Sequence, residues 1–367
     1  MTSPPILPEY VATVLDELAK VEFETGRLCH RPLPDPFAPI VICVVKNERD
    51  RIPDFLRHYR AAGIERFVFI DNQSDDGTFE LLLRQPDLDL YRRPGAFDWM
   101  RKQGWINKII ENCGHERWYI YADADEHIVF DGIEQRSFTD LTREMRHRGV
   151  RRVRGFLLDM YPEGAVLESQ YTPGESLAAA YPFFDREGYR EERYREVISF
   201  KGGPRMRAFA SADPKFLPEL TKYPLFWTMP GEYMVNPHHI WPYSGNFESE
   251  RYLAILHYKF LPGIMGKVRE AIKRANYWDG SLEYRCYAKI LEVDPKLSLV
   301  GPSTARFRDS AELAALGLIT PLQWSGERAA VAAMALAYRK RRAALLGTVG
   351  ATLGTKPASK EIPTAAN

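Results

Sequence analysis

Apolar segments of strand length alternate with segments of helical periodicity through the first third of the chain. The strand-length segments are residues 38–45, 66–70, 88–91 and 118–122. Segments that are apolar almost without interruption are typical of strands buried on both faces of a parallel sheet. Amphipathic helices are predicted between them at residues 51–62, 78–84 and 97–113. This alternation predicts an α/β fold, with a doubly wound, mostly parallel sheet flanked by helices.

The alternation weakens after residue 131. Further strands are predicted at residues 151–161, 196–200, 222–227, 233–241 and 252–260. Residues 162–196 and the Gly/Pro-rich residues 201–207 are predicted to be loops. Later helices are predicted at residues 267–278, 282–292, 310–317 and 326–346.

These elements divide the chain into four predicted regions. Residues 1–36 are an N-terminal extension, with one helix within residues 8–24 and a Pro-rich linker. Residues 37–295 hold the α/β domain, and residues 296–350 form a C-terminal helical extension. The polar residues 351–367 are expected to be a disordered tail.

Polar side chains follow three of the predicted strands. The segment Lys46-Asn47-Glu48 follows the first strand, Asp71 follows the second, and Asp123 and Asp125 follow the fourth. The carboxyl ends of parallel strands share the edge where α/β folds bind ligands, so we expect these groups to line one cleft. Carboxylates at the end of a buried strand are costly without a positive partner, and a divalent cation is a common one. Alternatively, the aspartates are solvated, Asp71 only builds a turn, and Asn47 and Glu48 cap the next helix.

Composition narrows the class of protein. The net charge of +1 provides no overall field for nucleic acid. The four cysteines are far apart and form no Cys-x-x-Cys pair, so we expect reduced thiols and no zinc site. Neither a signal-peptide pattern nor an apolar run of about 18 residues occurs. We therefore expect a cytoplasmic protein. No glycine-rich phosphate-binding motif follows a strand, so a nucleotide would be held by other groups.

Five motifs together resemble the nucleotide-sugar glycosyltransferases of the GT-A fold, in particular the family 2-like group and also the family 92 group. The motifs are VVKNE (44–48), IDNQSDDGT (70–78), ADADE (122–126), KGGPR (201–205) and LHYK (256–259). The resemblance covers residues 38–295 and leaves out the N-terminal extension and the last seventy or so residues.

The resemblance implies a hexosyltransferase that uses a nucleoside diphosphate-sugar, expected to be uridine-linked. The acceptor would be a glycan or a lipid-linked molecule in bacterial surface polysaccharide synthesis. Mn²⁺ or Mg²⁺ would neutralise the leaving diphosphate, because that charge must be stabilised as the sugar departs. Asp125 would bind this metal directly, and Asp123 would lie near the metal or the ribose. Glu126 would orient the site or the acceptor, its alternative role being a solvated helix cap.

The resemblance also implies roles around the nucleotide. Lys46, Asn47, Glu48 and Asp71 would surround the nucleobase and ribose. His257 would complete the metal shell, with His238 and His239 as competitors for that role, and Lys259 nearby would contact phosphate. The alternative for His257 is a half-buried strand histidine paired with a neighbour. Arg205 would suit a diphosphate or an acidic acceptor, although a solvated strand edge explains it as well.

The general base is the least defined group. The Glu-Asp pair and Gln-x-x-Arg-Trp motif of family 2 do not occur, which leaves the base and the stereochemical outcome open. Asp159 is the first candidate because it ends a strand after the metal motif. Glu163, Glu232 and Glu248 are the alternatives.

Two other classes of function remain compatible with the sequence. A nucleotidyltransferase or other phosphoryl enzyme would use the same carboxylates and release pyrophosphate. A non-catalytic glycan- or nucleotide-binding module would bind without turnover. The basic cluster at residues 339–342 suggests peripheral contact with an anionic membrane, or simply a solvated helix end.

Overall fold

A nine-stranded mixed sheet forms the centre of the protein. The computed structural model describes residues 9–29, 31–33, 35–194, 197–247 and 249–326. The chain divides into two compact units after Leu322, and every element described here belongs to the first unit. Of the predicted helix at 326–346, only residue 326 is described. The predicted tail at 351–367 and Glu248 lie outside the described residues.

The central sheet contains β1 (Glu24–Arg27), β2 (Ile40–Val45), β3 (Phe67–Asp71), β4 (Leu88–Arg92), β5 (Trp118–Tyr121), β6 (Glu126–Phe130), β7 (Arg152–Asp159), β11 (Thr221–Trp227) and β14 (Arg251–His257). Three two-stranded ribbons are formed by β8 (Phe183–Asp185) with β15 (Thr304–Arg306), β9 (Tyr189–Tyr194) with β10 (Val197–Gly202), and β12 (Tyr233–Asn236) with β13 (His239–Trp241).

The helices are α1 (Glu9–Lys20), α2 (Ile52–Ala61), α3 (Thr78–Leu83), α4 (Arg101–Cys113), α5 (Phe138–His147), α6 (Leu177–Ala180), α7 (Gly203–Phe209), α8 (Ile264–Arg274), α9 (Trp278–Val293) and α10 (Ser310–Ala315). None of the helices in the described part of the chain combines the length and the hydropathy that a membrane crossing needs.

The strand order confirms the predicted Rossmann-like α/β fold. The order is β1-β4-β3-β2-β5-β11-β7-β14-β6, and the block β4-β3-β2-β5 is parallel throughout. The chain proceeds from β2 to β3 and β4 in one direction, and β5 lies on the other side of β2. The order therefore reverses between β2 and β5. A crevice opens at such a reversal, outside the carboxyl ends of the strands.

The second half of the sheet brings a distant strand beside the predicted acidic motif. β11 runs antiparallel between β5 and β7, and β14 runs parallel to β7 and antiparallel to the edge strand β6. Residues 122–125 connect β5 to β6, which lie four places apart in the sheet. This connection therefore passes the ends of the intervening strands, and the Tyr258 amide donates to the Asp125 carbonyl at 2.9 Å.

Several local predictions differ from the structure. Residues 203–207 of the predicted loop at 201–207 belong to α7. Pro204 favours this helix because a residue in the first turn has no amide to satisfy and the fixed φ of proline suits that turn. The predicted loop at 162–196 contains β8, β9 and α6. β1 and β6 were not predicted: β1 is exposed along its whole length and has no apolar signal, and β6 begins with Glu126 and His127, which follow the acidic motif directly.

The N-terminal helix packs on the domain through a glycine. A Cβ built on Gly104 of α4 would lie 2.8 Å from the Glu17 Cβ and 3.0 Å from the Leu18 amide nitrogen. Glycine at this position therefore allows α1 and α4 to approach closely. The contact is also held by a hydrogen bond, in which the Trp105 indole donates to Glu17 at 2.8 Å.

Candidate active site

A cavity of about 250 Å³ opens at the strand reversal; we call it the strand-end cavity. Its lining includes the segment Lys46-Asn47-Glu48 after β2 and the segment Asp123-Ala124-Asp125 after β5. The charged lining residues are Lys46, Arg51, Lys102, Lys259, Lys267 and Arg274 against Glu48, Asp123, Asp125 and Glu270. Six cationic side chains against four carboxylates favour an anionic ligand.

A larger cavity of about 660 Å³ lies beside it; we call it the side cavity. The two cavities share part of their lining, namely Phe97, Lys102, Asp123, His257, Lys259, Tyr277 and Tyr284. Two ligands, one in each cavity, would therefore meet across a wall that contains carboxylate, imidazole and ammonium groups.

The sheet register places three ionisable residues in one row. His257 on β14 is paired with Glu126 on β6 and with Asp159 on β7. Cross-strand partners on one face of a sheet are close neighbours, so the three side chains gather at the end of the sheet. Asp125 precedes this row, and its carboxylate lies 3.8 Å from the His257 Nε2.

Asp125, Glu126 and His257 are the group in the described chain that is suited to a metal ion. One ligand atom from each lies within 4.8 Å of the others. Two carboxylates and one imidazole suit Mn²⁺ or Mg²⁺, which prefer oxygen ligands and accept an imidazole. The structure thus places Asp125 and His257, both predicted as ligands, in one donor set.

The orientation of His257 is fixed by Asp159 and Arg205. The His257 Nδ1 lies 2.7 Å from the Asp159 Oδ1, and the Arg205 Nε donates to the other carboxylate oxygen, also at 2.7 Å. Burial raises the pKa of Asp159, but Arg205 and His257 outweigh burial and the pKa lies below the usual range. The ionised carboxylate only accepts, so the His257 Nδ1 carries a proton, and Nε2 is the nitrogen that is directed towards Asp125.

Asp159, predicted as the general base, has a different position. It is 2% exposed, both of its oxygens are engaged, and it lines neither cavity. Because Asp159 lines neither cavity, a substrate hydroxyl held in either cavity would not meet it. Of the alternative bases, Glu163 is exposed and Glu232 pairs with Arg151; neither lines either cavity.

Asp123 contacts side chains rather than the metal-suited group. Its carboxylate accepts from the Lys102 Nζ at 3.1 Å and from the Tyr121 hydroxyl at 2.8 Å, and the Lys222 Nζ lies 3.6 Å away. Burial raises the pKa of Asp123, but Lys102 and Lys222 outweigh it and the pKa falls below its usual range. In this arrangement Asp123 is an ionised group that holds two lysines at the shared wall.

Glu126 is buried and ion-paired. Its carboxylate contacts the Lys222 ammonium and accepts from the Asp123 amide at 3.2 Å. Burial raises the pKa of Glu126, and the attraction of Lys222 opposes that shift without cancelling it. Glu126 lines the side cavity, and it begins β6 rather than capping a helix.

The residues after β2 and β3 separate into two groups. Lys46, Asn47 and Glu48 line the strand-end cavity, where Glu48 also contacts Arg51. The Asn47 side chain donates to Asp75 at 2.8 Å and so ties two strand-end loops together.

Asp71 has a structural position instead. It is fully buried, accepts from the Ser74 amide at 3.2 Å and from the Arg92 Nε at 3.3 Å, and lines neither cavity. These contacts match the turn-building alternative rather than a ribose contact. Its neighbour Asn72 lines the strand-end cavity.

Arg205 and Lys259 converge on a carboxylate that the sequence analysis missed. The Glu283 Oε1 accepts from the Arg205 Nη1 at 3.1 Å and lies 3.5 Å from the Lys259 Nζ. Burial raises the pKa of Glu283, but Lys259 and Arg205 lower it more strongly, and the net shift is downward. Arg205 lines the side cavity and Lys259 lines both cavities.

Other functional side chains could not be recognised from local motifs. Lys102 lies on α4, Lys222 on β11 and Lys267 on α8, far from the acidic motif in sequence. Lys222 is the exception, because its place before Pro224 and Leu225 makes it, like Arg205, a sequence candidate for contact with a diphosphate or an acidic acceptor. His238 and His239 line the side cavity and do not belong to the metal-suited group; burial lowers the pKa of His238 to about 4.

Comparisons with known proteins do not assign a family. No family model matches the chain, and no curated protein matches it. A solved 4-diphosphocytidyl-2C-methyl-D-erythritol synthase is similar at 10% identity and a TM-score of 0.23, over 38% of this chain and 66% of that one. S. aureus TarS (residues 1–349) is similar at 12% identity and a TM-score of 0.27, over 69% of this chain and 68% of that one.

A UDP-glucose pyrophosphorylase complexed with UDP-glucose is similar at 10% identity and a TM-score of 0.24, over 74% of this chain and 90% of that one. TM-scores of 0.23 to 0.27 are too low to assign a function. The functional assignment therefore rests on the geometry of the site.

Proposed function

We propose that this chain is a metal-dependent glycosyltransferase. It transfers a sugar from a nucleoside diphosphate-sugar, expected to be uridine-linked, to a hydroxyl group of an acceptor. The observation that carries the proposal is the shared wall, where the group Asp125, Glu126 and His257 lies between a cation-lined cavity and a second cavity. A transferase needs two substrate sites that meet at one set of charged groups.

The strand-end cavity is suited to the diphosphate of the donor. Its cationic lining offsets phosphate charge, and Lys259 and Lys102 lie at the boundary that the sugar must cross. Burial lowers the pKa of Lys259, but the neighbouring Glu283 and Asp125 outweigh burial and its pKa is raised. Lys259 is therefore charged at neutral pH and suited to the leaving phosphate.

Asp125 and His257 would hold Mn²⁺ or Mg²⁺. The bound ion would add positive charge next to the diphosphate and so stabilise it as a leaving group. The protein provides the ionised Asp125 and the imidazole of His257, which Asp159 orients so that Nε2 is directed towards Asp125. Burial raises the pKa of Asp125, but His257 and Arg51 outweigh it, so its pKa is lowered.

Glu126 is the carboxylate that we assign as general base. In the transfer, the bond between the sugar's anomeric carbon and the phosphate oxygen breaks, and a bond to the acceptor oxygen forms. The acceptor's proton must pass to a base in the acceptor site. Glu126 lines the side cavity. Because its pKa is raised, it takes up a proton more readily than an ordinary carboxylate does. The contact with Lys222 favours the ionised form of Glu126, which a base needs.

A panel of nucleotide-sugars with Mn²⁺ tests the proposal. We expect release of a nucleoside diphosphate from at least one donor, with release slowed at least 100-fold in Asp125→Asn. We assign the metal to Asp125 and His257 and not to Glu126, whose carboxylate is paired with Lys222; Glu126→Gln should therefore retain Mn²⁺-dependent UDP binding and lose transfer. The matched control is Asp185→Asn, an acidic residue buried outside both cavities. Release of pyrophosphate would identify a nucleotidyltransferase, and UDP binding without any turnover would identify a binding module.

A further inference from the structure

The side cavity has a charged floor, and large apolar side chains lie at its rim beside the exposed Lys215. Glu126, Lys222 and Arg205 on the floor are each no more than 3% exposed. Trp278 at the rim is 60% exposed and Leu217 is 49% exposed. Large apolar side chains exposed together at a cavity mouth indicate a binding surface.

The apolar character continues inward from the rim. Phe97, Trp99, Phe216, Pro218 and Leu282 also line the side cavity. Its volume of about 660 Å³ falls in the range of about 300–1,000 Å³ that is typical of sites for ligands of drug size. The cavity therefore has room for a hydroxylated group at the floor and an apolar group towards the rim.

A strained turn holds the rim in place. Asp279, Gly280 and Ser281 have φ values of 47°, 59° and 63°, in the left-handed region. This conformation costs about 1–2 kcal/mol for a residue with a Cβ. The turn is secured because the Ser281 Oγ donates to the Ala271 carbonyl at 2.8 Å and the Arg285 Nη2 donates to the Asp279 carbonyl at 3.0 Å.

Strain of this kind persists where surrounding contacts enforce it, and it is concentrated at binding sites. Trp278 directly precedes the turn, and Tyr277 before it lines both cavities. The turn therefore sets the backbone from which Tyr277 and Trp278 project at the mouth of the side cavity, and the Tyr277 ring also packs against Phe97 and Tyr284. A fixed rim reduces the ordering cost of binding an apolar group.

We propose that the acceptor is amphipathic, with an alkyl group that lies against Leu217, Tyr277 and Trp278 while its hydroxyl group lies on the charged floor. The proposal rests on the proposed function for the role of that hydroxyl group. Each methylene buried at the rim contributes about 0.8 kcal/mol, whereas the Leu217 side chain offers a sugar hydroxyl no hydrogen-bond partner. The polar residues that share this lining, Lys201, Lys215 and Glu219, would contact the polar part of the acceptor. An alkyl chain is therefore the chemistry that the rim favours.

Two glycosides that share a sugar and differ in the aglycone test this inference. We would measure binding of methyl and octyl β-D-glucopyranoside by calorimetry, with the octyl compound kept below micelle formation. The octyl glycoside should bind at least tenfold more tightly to the natural protein. In the double variant Leu217→Ser/Trp278→Ala, the ratio of the two affinities should fall below threefold.

Val293→Ser is the matched control, since Val293 is 84% exposed on the same helix and lines neither cavity. It should keep the tenfold ratio, as should Trp278→Phe. Circular dichroism would establish that the double variant is folded. Equal affinity for the two glycosides, binding of neither, or a ratio unchanged in the double variant would overturn the inference.

UDP binding with Mn²⁺, measured on the same proteins, separates this inference from the proposed function. UDP binding without an alkyl preference would refute the amphipathic acceptor alone. An alkyl preference that depends on the rim, without UDP binding, would refute the proposed donor while supporting the apolar rim as a binding surface.

Discussion

Substituting Asp159 by Asn should uncouple His257 from the metal site with little change in shape. The natural carboxylate accepts two charge-assisted hydrogen bonds, one from His257 and one from Arg205. Asn offers one oxygen and one NH₂ group. If the oxygen continues to face Arg205, the NH₂ group faces the His257 Nδ1, which must then accept. The proton moves to Nε2, the nitrogen directed towards Asp125.

The expected loss of stability in Asp159→Asn follows from the burial of the Asp159–Arg205 pair. Asp159 and Arg205 are 2% and 4% exposed in their side chains, and removal of one partner from a buried pair costs about 3–5 kcal/mol. Arg205 keeps Glu283 as a second partner at 3.1 Å, so we expect a loss of about 3 kcal/mol in the free energy of unfolding. Mn²⁺ affinity should fall by about 10–100-fold, the usual effect of losing a hydrogen-bond partner of a metal ligand.

Calorimetric Mn²⁺ titration and urea unfolding measure the two effects. Asp185→Asn is the control, because Asp185 is also 2% exposed and pairs with Arg207 at 3.0 Å away from the metal-suited group. It should lower stability and leave Mn²⁺ affinity unchanged. An Asp159→Asn protein that is folded and binds Mn²⁺ within twofold of the natural affinity would refute the proposed orientation of His257.

Two further predictions concern buried charge and close packing. Lys222→Met leaves Glu126 buried without its cation, so the free energy of unfolding in EDTA should fall by about 3 kcal/mol at pH 8. The loss should be smaller at pH 5. A carboxyl whose pKa is raised in the folded state stabilises the fold while it is protonated, and this contribution is lost as the pH rises through its folded-state pKa. An equal loss at pH 5 and pH 8 would contradict this prediction. Gly104→Ala should lower the free energy of unfolding in urea by about 1–3 kcal/mol, because the added Cβ forces α1 away from α4 at Glu17. Gly266→Ala in α8 is the control: its added Cβ meets nothing within 4 Å, so it should be neutral or stabilising. Equal effects of the two substitutions would contradict close packing at Gly104.

The parallel half of the fold could be predicted because its signals are local. The apolar segments that became β2, β3 and β5 are buried on both faces, and such burial leaves a direct imprint on sequence. Their order also predicted that Asp71, Asp123, Asp125 and the segment after β2 would line one cleft, and all of these except Asp71 line the strand-end cavity.

The charge partners could not be predicted, because they depend on long-range pairing. Lys222 meets Glu126 only because β11 enters the sheet antiparallel, 96 residues further along the chain. The role of Asp159 illustrates the same limit. Its place at a strand end was predicted, but its pairing with His257 follows from the register of β14 beside β7. Sequence reasoning located the acidic residues and could not determine which of them meet a cation.

The most direct test of the central claim is UDP binding measured by calorimetry with and without Mn²⁺, in the natural protein and in Asp125→Asn. The account predicts that Mn²⁺ strengthens UDP binding to the natural protein at least tenfold, about 1.4 kcal/mol, and that this gain disappears in Asp125→Asn. UDP affinity that does not depend on Mn²⁺ in the natural protein, or an undiminished Mn²⁺ effect in Asp125→Asn, would contradict it.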